Sequence, residues 1–305
     1  MSQNVAFIGL GNMGHPMCTH LGRNGFSVFG YDLSPEALSK LKQIGGTPCG
    51  SIAEAVRDAD YIISMVPTGK HVRQVYEGPD GVIKHARPGA MLIDCSTIDI
   101  ESAKAVNAAA TAAGFEMVDA PVSGAQPAAI AGRLIFMIGG TESGYNRAIP
   151  ALKAMGPTFV HIGPAGAGQA MKICNNMMTG MSMVAICEVL TLADRLGLDH
   201  QTVYDVVTKG SGNCWALQNY CPVPGPVPTS PASNDYAPGF TAEMMLKDMR
   251  LSQQAATNAG AATPLAGTSA AFYQMLVSGG HADRDFSIVY QLISGKLLTD
   301  ATPSK

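Results

Sequence analysis

The chain has 305 residues, more than one hydrophobic core usually organises, so two domains are expected. Apolar residues make up 47%, charged residues 14% and glycines number 34, which excludes a disordered chain and suits an α/β protein with a buried sheet. The net charge is −3 and the basic residues are scattered, so nothing points to a nucleic-acid partner.

In chain order, short apolar runs at 5–9, 27–32, 61–66, 91–94, 116–119, 134–138 and 158–162 alternate with helical patterns. Most of these runs are continuously apolar, as strands covered on both faces by helices must be. Helix starts are legible between them. Ser34-Pro35 places an N-cap before a proline at the first helical position, and Ser51-Ile52-Ala53-Glu54 reads as a capping box. The alternation predicts an N-terminal doubly wound, mostly parallel sheet. From Gly168 to about Leu196 no proline interrupts helical spacing, giving a helix of roughly 42 Å. Further helices are expected at 200–209, 241–259, 264–279 and 285–297. The segment 220–239, with six prolines and two glycines, must be a loop. Residues 1–164 therefore form the sheet domain, and residues 165–305 an all-helical domain joined to it by the long helix.

Seven cysteines include no Cys-x-x-Cys pair, and seven histidines show no ligand spacing, so neither disulfides nor a metal site are expected. The first strand begins by about residue 4, leaving no room for a leader, and the apolar stretch 177–187 is too short to span a bilayer. The expectation is a cytoplasmic protein without a membrane partner.

Gly9-Leu10-Gly11-Asn12-Met13-Gly14 closes the first strand and opens a helix. In a Rossmann-type domain the first glycine makes the tight turn, the second lets a pyrophosphate approach the backbone, and the third lets helix and strand pack closely. Asp32 ends the second strand, where a carboxylate accepts bonds from ribose hydroxyls and repels a 2′-phosphate. No arginine follows it closely, so NAD is expected over NADP. Met65-Val66-Pro67 and Ser96-Thr97 leave two further strands at the same edge, either to line the nicotinamide end or as ordinary strand exits.

Three further groups carry possible chemistry. Lys172 and Asn176 are four apart on the long helix and share a face, with Asn175 beside it. Alcohol oxidation needs a base for the hydroxyl proton, and a lysine withdrawn from water can serve; spacing alone prefers a lysine reaching out to solvent. Ser123-Gly124-Ala125 follows a buried strand and suits either an anion nest for a carboxylate or a tight capped turn. Lys247-Asp248 lies among Met244, Met245, Leu246 and Met249, as a solvated pair or as a buried functional one.

Taken together, Gly9-x-Gly11-x-x-Gly14, Asp119-Ala120-Pro121-Val122-Ser123-Gly124, Gly168-Gln169-x-x-Lys172-x-x-Asn175-Asn176 and Lys247-Asp248 resemble the 3-hydroxyacid dehydrogenase family over nearly the whole chain. The segments 92–99, 172–177, 213–216 and 220–225 are most similar to members acting on 3-hydroxyisobutyrate. The resemblance implies NAD-dependent, reversible oxidation of a small 3-hydroxy carboxylic acid to its semialdehyde; the same machinery would serve reduction of tartronate semialdehyde. It implies Lys172 as catalytic acid/base oriented by Asn176, with Ser123, Gly124 and Ala125 around the substrate carboxylate. Lys247 would lie at the substrate and nicotinamide end, supported by Asp248. Gly9, Leu10, Gly11, Asn12, Met13, Gly14, Asp32, Met65, Val66, Pro67 and Thr97 would hold the cofactor, and the subunits would associate as homo-dimers or homo-tetramers. One departure stands out, because the family usually carries a second glycine where this chain has Ala125.

Overall fold

The computed structural model describes residues 3–297. The chain divides into two compact units, Met1–Lys172 and Ile173–Lys305.

The first unit is built on nine strands: β1 (Asn4–Ile8), β2 (Ser27–Tyr31), β3 (Thr47–Pro48), β4 (Tyr61–Ser64), β5 (Met91–Asp94), β6 (Glu116–Asp119), β7 (Val122–Ser123), β8 (Ile135–Gly139) and β9 (Thr158–Gly163). They lie in the order β3-β2-β1-β4-β5-β6-β8-β7, with β9 against β8. From β3 to β6 every pairing is parallel; β8 runs antiparallel to β6 and β7 and parallel to β9. The mostly parallel, doubly wound sheet expected from the apolar runs is therefore present. Alternation splits each central strand between two cores. Val5, Phe7, Ile63 and Ile93 enter one, and Ala6, Ile8, Ile62 and Leu92 the other.

Helix starts follow local chemistry. Ser34 Oγ accepts from Ala37 N, with Pro35 next in the chain, and Ser51 Oγ accepts from Glu54 N at 3.1 Å. The Glu54 carboxylate completes its box one residue early, taking Gly50 N at 2.6 Å.

Register aligns the carboxyl ends of the strands. Ile8 pairs with Ser64, Ser64 with Asp94, and Asp94 with Asp119. The turns that leave this edge begin at Gly9, Met65, Cys95 and Ala120. In open parallel sheets this is where ligands bind.

The helix Ala167–Arg195 begins in the first unit, and the division between units falls inside it rather than ahead of it. Its first turn is fastened to the sheet edge by the carboxylate of Asp119, which accepts from Gly166 N at 2.7 Å and from Gln169 N at 2.9 Å. By length and composition this helix could cross a membrane, yet it carries the buried polar side chains Gln169, Lys172 and Asn176.

The second unit packs the rest of that helix with His200–Val207, Trp215–Tyr220, Ala242–Ala259, Pro264–Ser278 and Val289–Ile293. Its core contains Met183, Cys187, Leu190, Met245, Met249, Tyr273 and Phe286. The proline-rich segment is a structured loop. Val223 and Val227 are buried, Pro231–Asn234 forms a 3-10 turn, and the Tyr236 hydroxyl donates to Pro222 O at 2.9 Å. The single helix expected at 285–297 is instead a 3-10 turn, Phe286–Ile288, followed by Val289–Ile293. Two causes shorten it. Asp285 Oδ1 takes Ser287 N, a tight two-residue closure, and Gly295 adopts a left-handed φ of 80° that ends the helix.

Candidate active site

Two of the three signature glycines answer to the protein's own packing. Gly9 has φ 95°, and a side chain there would meet Met65 O at 2.2 Å. At Gly14 a Cβ would lie 2.0 Å from Gly9 O. At Gly11 it would meet nothing within 4 Å, so the fold itself does not require glycine there. The open space faces the start of helix Gly14–Arg23, whose first turn has no acidic residue and whose N–H groups attract anions. Asn12 is exposed and Met13 half-buried beside that start, while Leu10 is buried beneath it. That is the cradle a pyrophosphate needs.

Asp32 is anchored rather than loose. Its Oδ2 accepts from Leu10 N at 2.6 Å and its Oδ1 from Ser34 N at 2.8 Å. A carboxylate has about four acceptor sites, so lone pairs remain for two ribose hydroxyls. The residues present thus fit a dinucleotide.

Farther along the edge, Met65, Val66 and Thr97 are half-buried and Pro67 is exposed. Val66 N donates to Ser96 Oγ at 2.9 Å, and the Ser96 hydroxyl donates to Asp94 Oδ1 at 2.6 Å. Ser64 Oγ donates to the same oxygen at 2.7 Å. Burial pushes the Asp94 carboxyl up to about 6, against the pull of those serine bonds and with the help of nearby Asp119. Burial also raises the Asp119 carboxyl, opposed by the backbone N–H groups of Gly166, Gln169 and Gly168.

Ser123 ends β7, Gly124 follows with φ 118°, and Ala125 opens the helix Ala125–Ile130 with φ 53°. A side chain at 124 would meet Ala128 Cβ at 2.3 Å, so glycine is needed there for space as well as conformation. Ala125 holds a left-handed backbone that ordinarily belongs to glycine.

Lys172 is only 7% exposed. It lies one residue short of a full turn beyond Gln169, whose amide spans residues 96 and 98: Nε2 donates to Ser96 O at 2.8 Å and Oε1 accepts from Ile98 N at 3.1 Å. Gly168 makes this approach possible, since a Cβ there would meet Met137 O at 2.4 Å and Asp119 Oδ2 at 2.7 Å.

In the second unit Asn176, Asp248 and Lys247 come together. The Asn176 amide donates to Asp248 Oδ2, Lys247 Nζ lies 3.3 Å from Asp248 Oδ1, and Asn175 donates to Asn176 Oδ1 at 3.0 Å. Asp248 is buried while the Lys247 side chain is a third exposed, so the pair has one partner withdrawn from solvent and one reaching it.

Ser96 was expected only as part of a strand exit, and Asp94, Asp119 and Gln169 carried no role of their own in the sequence motifs. The available signal was an acidic residue ending a continuously apolar strand, at positions 94 and 119. A charge there is buried and must be hydrogen-bonded.

A parallel sheet with a glycine turn and an anchored aspartate at its carboxyl edge, leading into a long helix with a buried lysine, defines an NAD-binding dehydrogenase. Comparison with known proteins narrows the class. Residues 4–163 match the NAD binding domain of 6-phosphogluconate dehydrogenase, and residues 166–293 match the NAD-binding domain of NADP-dependent 3-hydroxyisobutyrate dehydrogenase. The chain is 45% identical to a probable 3-hydroxyisobutyrate dehydrogenase of Mycobacterium tuberculosis, covering 96% of this chain and 98% of that protein. It is 40% identical to an NAD-dependent L-serine dehydrogenase of Pseudomonas aeruginosa, covering 95% and 97%. The solved structure of the Mycobacterium tuberculosis 3-hydroxyisobutyrate dehydrogenase with L-serine superposes with a TM-score of 0.90 at 45% identity, over 96% of this chain and 99% of that one. The chain belongs to the 3-hydroxyacid dehydrogenase family, and its cofactor is NAD.

Proposed function

We propose that this enzyme oxidises 3-hydroxyisobutyrate to methylmalonate semialdehyde, reversibly, as a step in valine breakdown. The observation that carries the reading is Lys172, a lysine 7% exposed in the first turns of a helix fastened to the cofactor edge. NAD, when bound, supplies the hydride acceptor. Gly9, Leu10, Gly11, Asn12, Met13 and Gly14 would receive its pyrophosphate and Asp32 its ribose hydroxyls. Met65, Val66, Pro67 and Thr97 would line the nicotinamide end. As the C–H hydride leaves the substrate, Lys172 Nζ takes the hydroxyl proton, and in the reverse direction it returns that proton to the carbonyl oxygen. Asn176 keeps the reacting oxygen in line with Lys172, four residues earlier on the same helix. The Ser123 hydroxyl and the N–H groups of Gly124 and Ala125 would hold the carboxylate, and the family resemblance gives Lys247, 3.3 Å from Asp248, a substrate-binding role.

The similarity of segment 213–216, which holds Trp215, to members acting on 3-hydroxyisobutyrate supports a methyl-bearing substrate over a dihydroxy acid. L-serine is the second reading, favoured by the similarity to an L-serine dehydrogenase. Specificity constants for 3-hydroxyisobutyrate, L-serine and glycerate, each with NAD and with NADP, decide between them. The expected order puts 3-hydroxyisobutyrate with NAD first; a preference for serine or glycerate overturns the choice of acid. In the same assay Lys172→Ala loses at least a thousandfold in kcat while NAD binding changes less than threefold. Wild-type turnover in that variant removes Lys172 as the base.

Self-association accompanies this reading. Along the second-unit part of the long helix, Met178, Ala185 and Leu192 recur every seven residues on the exposed surface, as do Val189 and, in the turn that ends the helix, Leu196. That is the spacing of a helix face meeting another helix, and it supports a homo-dimer or homo-tetramer. All seven cysteines are free, which supports a reduced, cytoplasmic setting.

A further inference from the structure

Beyond the groups assigned to chemistry, the first unit contains a chain of buried polar contacts that joins distant segments at one point of the sheet edge. Past Cys95, whose N–H still bonds to Ser64 O, the backbone at residues 96 and 98 is held by the side-chain amide of Gln169. One end of that amide takes a donor and the other an acceptor, so residues 96 and 98 are fixed on either side of Thr97. Gln169 is fully buried. Its own backbone N–H is bonded to Asp119, which also takes Gly166 N, so the rotation of the first helical turn is set by the end of β6. Ser96 passes the link onward to Val66 N through its hydroxyl, and Asp94 aims that hydroxyl. Apolar residues could fill this space, but they could not set both the rotation of a helix and the course of a strand exit.

Lys172 follows Gln169 by three residues, about 4.5 Å along the helix axis. Hydride and proton leave adjacent atoms of the substrate, so the base and the nicotinamide must keep one separation, and an error of about 1 Å can cost about a hundredfold in rate. We propose that Gln169 is a positioning residue for hydride transfer, and that with Asp119 it sets the spacing between Lys172 and the segments bearing Val66 and Thr97. This rests on Lys172 being the acid/base.

The test is Gln169→Met in the full chain, close in size and unable to make either amide bond. Active sites are counted by NADH fluorescence titration, and turnover is measured with 3-hydroxyisobutyrate carrying hydrogen or deuterium at C3. The expected result is a tenfold or greater loss of kcat per NADH-binding site. The isotope effect on kcat rises as hydride transfer becomes limiting, and KM for the acid stays within threefold. A role in folding alone would lower the melting temperature and the number of sites while leaving kcat per site and the isotope effect at wild-type values, and that outcome overturns the proposal. If Gln169→Met does not fold, Gln169→Glu keeps an acceptor for Ile98 N and loses the donor to Ser96 O. Its kcat per site is then expected to fall at least threefold, and a wild-type value again overturns the proposal. Lys172→Ala separates the two levels. If it is inactive while the Gln169 variants are normal, the positioning role alone falls; if it retains full turnover, the base assignment falls and this proposal with it.

Discussion

Ala125 holds φ 53°, a conformation that costs a residue with a Cβ about 1–2 kcal/mol. Strain of this kind persists where surrounding structure imposes it, often beside a ligand site. Here it is imposed by Gly124, itself left-handed, and by the entry into helix Ala125–Ile130. Ala125→Gly removes the strain but gives the unfolded chain more freedom, an opposing effect of about 0.4–1 kcal/mol. The variant should be more stable by about 0.5–1 kcal/mol in urea unfolding, and its KM for the acid should move more than its kcat. A loss of stability would mean that the strained turn is not what the chain adopts. At this scale the sequence was legible where one residue's neighbours stand near it in the chain. Gly9, Gly11, Gly14 and Asp32 form a spaced pattern with a known use. Gln169 and Asp119 do not, because their partners lie between 47 and 73 residues away and leave no local trace.

At the scale of elements, β4 and β5 end on buried polar residues tied into one network, and this makes stability depend on pH. Asp94 is raised from the usual range near 4 to about 6, mainly by burial. The folded chain therefore holds this proton more tightly than the unfolded chain does. Its contribution to stability is full below about pH 4, declines as pH rises, and is lost above about pH 6. Two units correspond to about 3 kcal/mol as an upper figure. Asp94→Asn cannot titrate, so wild-type stability relative to that variant should drop by about 2–3 kcal/mol between pH 4 and pH 7. Urea midpoints at the two pH values measure it; parallel profiles would refute it. Element types were readable because buried parallel strands are continuously apolar. The two-residue strands β3 and β7 were not, since Thr47-Pro48 and Val122-Ser123 contain no run to detect. The break in the last helix was hidden for another reason. Its pattern stays helical through 297, and only the left-handed turn at Gly295 and the cap from Asp285 cut it short.

For the whole molecule, the long helix is the feature with most surface still to account for. Met178, Val189, Leu192 and Leu196 are each more than half exposed. Burying a leucine side chain fully is worth about 1.5–3 kcal/mol, and these four retain roughly half to two-thirds of that to gain, which makes this face the candidate contact for the proposed self-association. The proposed self-association predicts that Leu192→Glu combined with Val189→Glu lowers the mass seen in light scattering, with the far-ultraviolet circular dichroism unchanged. An unaltered mass would refute this helix face as a subunit contact, and a monomer mass for the wild type would refute the self-association itself. The seven-residue recurrence was present in the sequence, but it could be separated from the core pattern only once the buried face was known.

The three glycines of the first turn bear unequal burdens. Gly9 and Gly14 are hemmed in by backbone, so the architecture fails if either gains a side chain. Gly11 borders open space, and a Cβ there meets no protein atom within 4 Å. If the pyrophosphate occupies that space as proposed, Gly11→Ala should melt like the wild type and lose affinity for NADH in a fluorescence titration, and unchanged affinity would remove Gly11 from the cofactor site. On this reading residue 11 serves the ligand and residues 9 and 14 serve the scaffold, so the two demands on one glycine motif can be separated by single substitutions.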